Sequence, residues 1–111
     1  MIYPVGMSSE PKHYPEIGAR VRAVREVFGG GVSAARFAKD LEVSVAQYRH
    51  WERGSRRIPI EYGQLYWERF GVTLDFLYLG RSETLMHNVA TALLSSPSLI
   101  ATSKSSDKPD R

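Results

Sequence analysis

A short segment in the middle of the chain, "YRHWERGSRR", carries five basic side chains within nine residues. They are Arg49, His50, Arg53, Arg56 and Arg57. Guanidinium groups bind phosphates and carboxylates, and an imidazole can donate a hydrogen bond to a polar partner or accept one from it. The segment therefore favours a polyanionic partner, with a basic face that contacts only solvent as the alternative.

No set of residues in the sequence predicts catalysis or metal binding. The chain has no cysteine, and its three histidines, His13, His50 and His87, lie far apart without a ligand partner at a metal-like spacing. There is no Ser-His-Asp or Cys-His grouping, and no pair of carboxylates has an electrophile beside it. We therefore expect a protein that is not an enzyme and that binds no metal, cofactor or small molecule.

The positive charge is unevenly distributed along the 111 residues. The formal net charge is +3, but residues 16–57 carry nine Arg and Lys against five Asp and Glu, whereas residues 58–111 carry five against six. The excess of positive charge therefore surrounds the basic segment.

No apolar run approaches the roughly 20 residues of a membrane helix, and the start of the chain lacks the features of a signal peptide. Together with the absence of cysteine, this predicts a cytoplasmic protein without a membrane segment.

The elements that must position the basic segment are predicted to be helices. Apolar residues recur at helical spacing through the middle of the chain, and no convincing period-2 run occurs. Ser or Thr precedes most of these apolar stripes and Gly follows them, as at helix ends. The sequence predicts an all-α fold, a compact bundle of five or six short helices.

The predicted helix boundaries follow these signals. Pro15 begins the first helix, and "GGG" after Phe28 ends it. In the second helix, Ala35, Ala38 and Leu41 are predicted to face inward. The caps predicted for later helices are Ser33, Ser44, Thr73 and Ser82.

The basic segment belongs to the third predicted helix. Ser44 and Gln47 have the capping-box spacing, which specifies where this helix begins. At about 100° per residue, Tyr48 and Trp51 fall on one side and are predicted core residues. The opposite side is predicted to be exposed, and within about 140° it comprises Val45, Ala46, Arg49, His50 and Arg53.

Only "EVS" separates the second and third predicted helices. Such a tight turn forces two short helices to cross steeply. Two crossed helices, with a projecting second helix and basic residues after it, describe a helix-turn-helix. A helix with small residues at its leading end can enter the major groove of DNA while its neighbours reach the phosphates.

The region from about residue 17 to residue 80 resembles the lambda-repressor-like (Cro/repressor-type) helix-turn-helix family of phage and bacterial transcriptional regulators. The resemblance rests on four pieces in the family's order: "VRAVRE", "SAARFAKDLEVS", "YRHWERG" and "FGVTLDFLYLG". It implies that the third helix reads bases and that the loop after it follows the DNA backbone. At base-reading positions it places Val45, Ala46 and His50.

The resemblance also implies further roles. It places Arg53 and Arg56 at positions that contact the DNA backbone or bases just past the helix. The full set of residues that we expect to bind the DNA backbone is Ser33, Arg49, Arg53, Arg56 and Arg57. Arg25 and Glu52 match an Arg–Glu pair that ties the first helix of the family to the third. The sequence departs from the family in three places. Ala34 stands where a phosphate-binding glutamine is usual, Glu42 stands where the turn usually has a glycine, and "GGGVS" lengthens the loop between the first two helices.

The predicted domain organisation has four parts: a flexible N-terminal arm (1–13), a helix-turn-helix DNA-binding domain (14–80), an additional C-terminal helix for core completion or dimerisation (81–95) and a disordered tail (96–111). The sequence predicts a sequence-specific regulator of transcription, of the repressor or prophage/antitoxin type, that binds double-stranded DNA in the major groove as a homodimer. The alternative is a protein-interaction module that keeps the fold without significant DNA binding. Ala34 and Glu42 favour this alternative, and the clustered arginines oppose it.

Overall fold

The computed structural model describes residues 13–106, with side chains described as far as Ala101. These residues form seven α-helices and one 3-10 turn, without a β-strand. In chain order they are α1 (Pro15–Phe28), α2 (Ala34–Leu41), α3 (Val45–Arg53), α4 (Ile60–Phe70), α5 (Leu74–Leu79), the 3-10 turn (Ser82–Thr84), α6 (His87–Leu94) and α7 (Pro97–Ser106). The predicted all-α class is confirmed. The predicted arm, apart from His13, lies outside the described residues.

Side-chain caps fix the start of the helices on either side of the predicted turn. The Oγ atoms of Ser33 and Ser44 each accept a hydrogen bond from the backbone N–H three residues later, at 3.1 Å. Thr73 Oγ1 makes the same bond at the start of α5, also at 3.1 Å. The predicted caps of α2, α3 and α5 are therefore confirmed, and each satisfies an N–H that the helix itself leaves free.

Apolar side chains from α1 to α6 and from the 3-10 turn region form one core. Its larger members are Val21, Val24, Phe37, Leu41, Tyr48, Trp51, Ile58, Tyr66, Val72, Phe76, Leu77, Leu85 and Leu93. The prediction for α2 was partly wrong, because Ala35 is exposed and Phe37 takes an inward position instead. The Phe37 ring stacks on Phe70, and burying a ring removes far more apolar surface from water than burying a methyl group does.

α1 crosses the end of α3 with backbone against backbone. A Cβ atom added at Gly18 would lie 2.5 Å from the Glu52 carbonyl oxygen and 3.0 Å from that of Trp51, so no side chain fits there. The Tyr14 N–H donates to the Gly54 carbonyl at 2.7 Å, just beyond the end of α3. The C-terminal end of α3 is therefore fixed against the first turn of α1.

The sixth helix begins later than the predicted cap at Ser82. α6 starts at His87, and the residues before it form only the 3-10 turn. Thr84 Oγ1 lies 2.6 Å from Thr73 Oγ1, so this turn is hydrogen-bonded to the cap of α5. Leu85 then adopts an extended conformation with its side chain buried in the core, which separates the turn from α6.

The tail predicted to be disordered, at 96–111, instead forms α7 over most of its length. The Ser96 Oγ accepts from the N–H three residues later at 3.3 Å, and Pro97 occupies the first helical position. Ser98 anchors the helix to α1, since its N–H and its Oγ donate to the Glu26 carboxylate at 3.1 and 2.8 Å. The serine and proline that suggested disorder therefore form a helix start that tertiary contacts stabilise.

Candidate nucleic-acid interface

The turn between α2 and α3 is formed by Glu42 in a left-handed conformation. Its backbone angles are φ 63° and ψ 44°, and among residues 13–106 it is the one non-glycine residue with positive φ. The Glu42 N–H donates to the Lys39 carbonyl, and the Val43 N–H to that of Ala38, each at 3.0 Å. The chain thus makes the tight helix-turn-helix connection with a residue that has a Cβ, at some cost in backbone energy.

α3 has the two faces that its periodicity predicts. Tyr48 and Trp51 are buried in the core. The side chains exposed on the opposite face are Ala46, Arg49 and Arg53. Val45 and His50, predicted to be exposed, are half-buried at its margins, and Val45 packs partly on the core. The cations therefore lie on one exposed surface, beside the small side chain of Ala46.

An ion pair joins this helix to α1. Arg25 Nε donates to Glu52 Oε2 at 2.7 Å and Arg25 Nη2 donates to Glu52 Oε1 at 3.0 Å, so the predicted pair forms with both carboxylate oxygens engaged. The Tyr48 hydroxyl also donates to Glu52. The side chain of Glu52 is only 6 % exposed and that of Arg25 20 %. This cluster fixes the rotation of α3 relative to α1.

The surroundings of Glu52 keep Arg25 and Tyr48 in the protonation states in which they donate hydrogen bonds to it. Hydrogen bonding to the Glu52 carboxylate raises the pKa of the Arg25 guanidinium. Burial raises the pKa of the Tyr48 phenol most, and the electrostatic interaction with the neighbouring Tyr66 raises this pKa further. In the folded protein at neutral pH, Arg25 therefore remains charged and Tyr48 remains a hydrogen-bond donor.

His50 is oriented by a contact with the loop that follows α3. Its Nδ1 lies 2.8 Å from the Ser55 Oγ, and the Ser55 hydroxyl also lies within 3.4 Å of the His50 carbonyl. Since Ser55 engages Nδ1, Nε2 is the ring nitrogen left to contact a base or a phosphate. Its role as donor or acceptor follows from the tautomer that the serine bond selects.

The loop after α3 carries Arg56 and Arg57, both exposed. The guanidinium carbon of Arg57 lies 5.0 Å from the centroid of the Tyr14 ring, which is cation–π geometry. At Gly54, where φ is 78°, an added Cβ would meet the Tyr14 carbonyl oxygen at 2.6 Å. The loop is thus attached to the start of α1, and the two arginines extend the basic surface beyond the end of α3.

The structure adds one cation that the sequence reading did not select. Arg22, on α1, is half exposed, and its Nε lies 3.6 Å from Glu52 Oε1. Its spacing of three residues from Arg25 places it on the same side of α1, a signal that was present in the sequence. Ser33, predicted to bind the backbone of DNA, is exposed at the start of α2, where its hydroxyl also serves as the helix cap.

Metal ligation and membrane spanning have no site in the part of the chain that the structure describes. Between residues 13 and 106, no three His, Asp or Glu side chains lie close enough together to hold a metal ion. Over the same residues, no helix has both the length and the hydropathy needed to cross a bilayer.

The two crossed helices, the turn at Glu42 and the exposed cationic face of α3 define a helix-turn-helix domain. A model of the helix-turn-helix family matches residues 21–77, slightly more than half of the chain. The chain belongs to the lambda-repressor/Cro-like helix-turn-helix family of DNA-binding regulators, as the resemblance implied. Comparison with curated proteins and with solved structures gives no significant match.

Proposed function

We propose that this protein binds specific sequences of double-stranded DNA with α3 in the major groove and regulates transcription as a repressor or a prophage/antitoxin-type regulator. The observation that carries the proposal is the exposed face of α3, with Ala46, Arg49 and Arg53 opposite the buried Tyr48 and Trp51. A major groove about 12 Å wide admits an α-helix, and a small leading residue allows close approach to the base edges.

Base recognition is assigned to Val45, Ala46 and His50. The two apolar side chains have no hydrogen-bonding groups, so their base contact is packing against a thymine methyl group. His50 supplies the polar contact through Nε2, because Ser55 holds Nδ1. One polar and two apolar base-contacting side chains give modest base selectivity. Recognition of DNA shape adds to this selectivity.

Backbone binding is assigned to the residues that surround these readers: Ser33, Arg49, Arg53, Arg56 and Arg57. The arginines are exposed on α3 or in the loop after it. Contacts of this kind set the register of the protein on DNA without reading sequence. Because each one releases counterions, the affinity is expected to fall steeply with salt.

The active form is proposed to be a two-fold homodimer. One reading helix covers half of an operator, and a dimer spans successive major grooves about 34 Å apart. Met86 directly precedes α6 and Leu94 ends it, and their side chains are 71 % and 49 % exposed. Leu85 and Leu93 belong to the core. We place the dimer contact at Met86 and Leu94. Sedimentation of the wild type and of Leu94→Glu tests it: a wild-type monomer at high concentration, with one protein per operator, would contradict it.

The proposed function is tested by incubating the full chain with sheared genomic DNA at low and at moderate salt and sequencing the retained fragments. Retention at low salt, with fragments at moderate salt that share two half-sites about one helical turn apart, is the expected result. No retention at either salt would reject DNA binding and leave the protein-interaction module as the better account. Retention at low salt without any shared motif would reject sequence-specific binding alone.

A further inference from the structure

The Ser55 hydroxyl lies between two groups of His50. Its Oγ is 2.8 Å from His50 Nδ1 and 3.4 Å from the His50 carbonyl oxygen. The backbone holds the serine in this position, because the Ser55 N–H donates to the same carbonyl at 3.1 Å and the Arg56 N–H does so at 3.3 Å. Gly54, left-handed with φ 78°, turns the chain back toward the helix. The contact between Ser55 and the imidazole is therefore part of the turn that ends α3.

The position of one proton decides the direction of these contacts. A carbonyl oxygen only accepts, whereas a serine hydroxyl donates one hydrogen and can accept another. If Nδ1 carries the imidazole proton, it donates to Oγ, and the hydroxyl hydrogen turns toward the carbonyl, so both contacts are attractive. If the hydroxyl donates to Nδ1 instead, Oγ and the carbonyl oxygen face each other without a hydrogen between them. Only the Nδ1–H tautomer makes both contacts favourable.

The end of α3 favours the same tautomer. The helix ends at Arg53, so the carbonyl groups of its last turn have no partner within the helix and carry a partial negative charge. The Ser55 hydroxyl lies beside one of these carbonyls, that of His50. An Nδ1–H bond directs its hydrogen toward this negative end, whereas a bare Nδ1 would direct a lone pair there. The Nδ1–H tautomer therefore complements the electrostatic field of the helix.

We propose that Ser55 is a positioning residue that holds His50 in the Nδ1–H tautomer, so that Nε2 is a hydrogen-bond acceptor and reads the exocyclic amino group of a base. The proposal rests on the proposed function. In the major groove the amino groups are N6 of adenine and N4 of cytosine, whereas guanine presents only acceptors and thymine an acceptor and a methyl group. A donor at Nε2 would suit guanine or thymine. A serine that lies outside the helix thus sets which bases His50 recognises.

The first test measures the tautomer in the full chain without DNA, at mildly alkaline pH so that imidazole rings are neutral. Long-range proton–nitrogen NMR spectra distinguish a protonated ring nitrogen from a bare one, and the His50 signals are those lost in His50→Ala. The wild type should show a protonated Nδ1 and a bare Nε2. Ser55→Ala should give a mixture of tautomers, whereas Ser55→Thr keeps the hydroxyl and should resemble the wild type. A protonated Nε2 in the wild type would overturn the proposal.

The second test finds the base with operator duplexes, selected from genomic DNA, in which one base at a time lacks a single group. Adenine without its N6 amino group and cytosine without its N4 amino group test for an acceptor at Nε2. Guanine with carbon in place of N7 is the matched control, which tests for a donor. At one position, loss of the amino group should weaken wild-type binding about fivefold, the effect of one neutral hydrogen bond. His50→Ala should show no such loss, and the base at that position identifies adenine or cytosine as the partner.

The serine variants connect the two tests. Ser55→Ala should reduce the fivefold loss to about twofold, because an unrestrained ring must give up its other tautomer in order to accept. Ser55→Thr should retain the full loss, and melting temperatures show that both variants are folded. An equal loss in Ser55→Ala and the wild type would overturn the role of the serine.

The outcomes separate this proposal from the proposed function. If the loss that depends on His50 occurs with the N7-modified guanine, Nε2 donates, and the proposal is overturned while sequence-specific binding stands. If every amino-group loss persists in His50→Ala, His50 reads no amino group, with the same consequence. If the wild type selects no sequence from genomic DNA, the proposed function fails and the base assignment fails with it.

Discussion

The guanidinium of Arg25 and the carboxylate of Glu52 form a two-bond ion pair between α1 and α3, with N···O distances of 2.7 and 3.0 Å. The Tyr48 hydroxyl donates to the same carboxylate. Since Glu52 is one turn from Tyr48 and next to Trp51, the pair fixes the part of α3 that is opposite its exposed face. The orientation of the proposed reading face therefore depends on an interaction that touches no DNA.

Removing the positive partner of this pair should be costly. Arg25→Met keeps most of the aliphatic stem but leaves the buried Glu52 carboxylate without its hydrogen-bonded charge partner and with only the longer 3.6 Å contact to Arg22, so the free energy of unfolding should fall by about 3 kcal/mol. Arg36→Met is the control, because the Arg36–Asp40 pair is exposed and such pairs contribute at most about 0.5 kcal/mol. Denaturant titration measures both, and equal losses would show that the buried pair has no special role.

The left-handed residue in the turn offers a way to stabilise the domain. Glu42→Gly removes the Cβ that is strained at φ 63°, so the free energy of unfolding should rise by about 1 kcal/mol. Glu42→Ala removes the same charge but keeps the Cβ, so its stability should stay within about 0.5 kcal/mol of the wild type. If the alanine variant gains as much as the glycine variant, the carboxylate and not the backbone is the unfavourable element.

Two buried tyrosines should respond differently to loss of their hydroxyl groups. The Tyr66 hydroxyl is buried and has no hydrogen-bond partner of normal geometry among the described residues, whereas that of Tyr48 donates to Glu52. Tyr66→Phe should leave the free energy of unfolding unchanged or raise it by up to about 1 kcal/mol, and Tyr48→Phe should lower it by about 1.5–3 kcal/mol. Thermal melts of the two variants are the measurement. A clear loss in Tyr66→Phe would reveal a partner, such as a buried water.

Alkaline pH should destabilise the fold. Burial raises the pKa of Tyr48, Tyr66 and Tyr78, in the last case from its ordinary 10.0 to about 12. The folded protein thus holds these phenolic protons more tightly than the unfolded chain does. Their stabilising contribution is complete below about pH 10 and decreases as the pH rises above it, in the case of Tyr78 until the pH has passed about 12. The urea midpoint should therefore fall across that range. Tyrosinate absorbance from all tyrosines near pH 10, before any unfolding, would contradict the shifts.

Local signals around α3 were predictable from the sequence. The caps at Ser33 and Ser44 and the buried faces of Tyr48 and Trp51 depend on neighbours within one or two turns, which residue spacing reveals. The Arg25–Glu52 pair joins residues 27 positions apart, so spacing alone could not give it. It followed from the family resemblance.

The features that were not predicted depend on tertiary contacts. "SSPS" was interpreted by composition as a disordered tail, yet it begins a helix because Ser98 finds Glu26 on α1, 72 residues away in sequence. Leu85, predicted to lie within the sixth helix, is extended and has its side chain buried in the core. The sequence spacing placed Arg22 on the side of α1 that carries Arg25, but Arg22 borders the same surface cavity as Arg49 and Arg53 only because α1 and α3 pack together.

In the proposed interface, α3 reads DNA sequence through His50, while arginines such as Arg57 bind the backbone whatever the sequence. The two roles predict different responses to substitution. Arg57→Ala should weaken binding to an operator and to scrambled DNA alike and should lower the salt slope by about one. His50→Ala should instead reduce the preference for the operator, by about 1 kcal/mol or more, with little change on scrambled DNA.

The most direct test measures the dissociation constants of the wild type, His50→Ala and Arg57→Ala on a selected operator fragment and on a scrambled duplex, each at two salt concentrations. The proposed interface predicts that His50→Ala raises the ratio of the operator dissociation constant to the scrambled-DNA dissociation constant. Arg57→Ala is expected to leave this ratio unchanged while raising both dissociation constants. Wild-type affinity for both variants on both duplexes would contradict it, and would mean that the basic surface around α3 contacts only solvent.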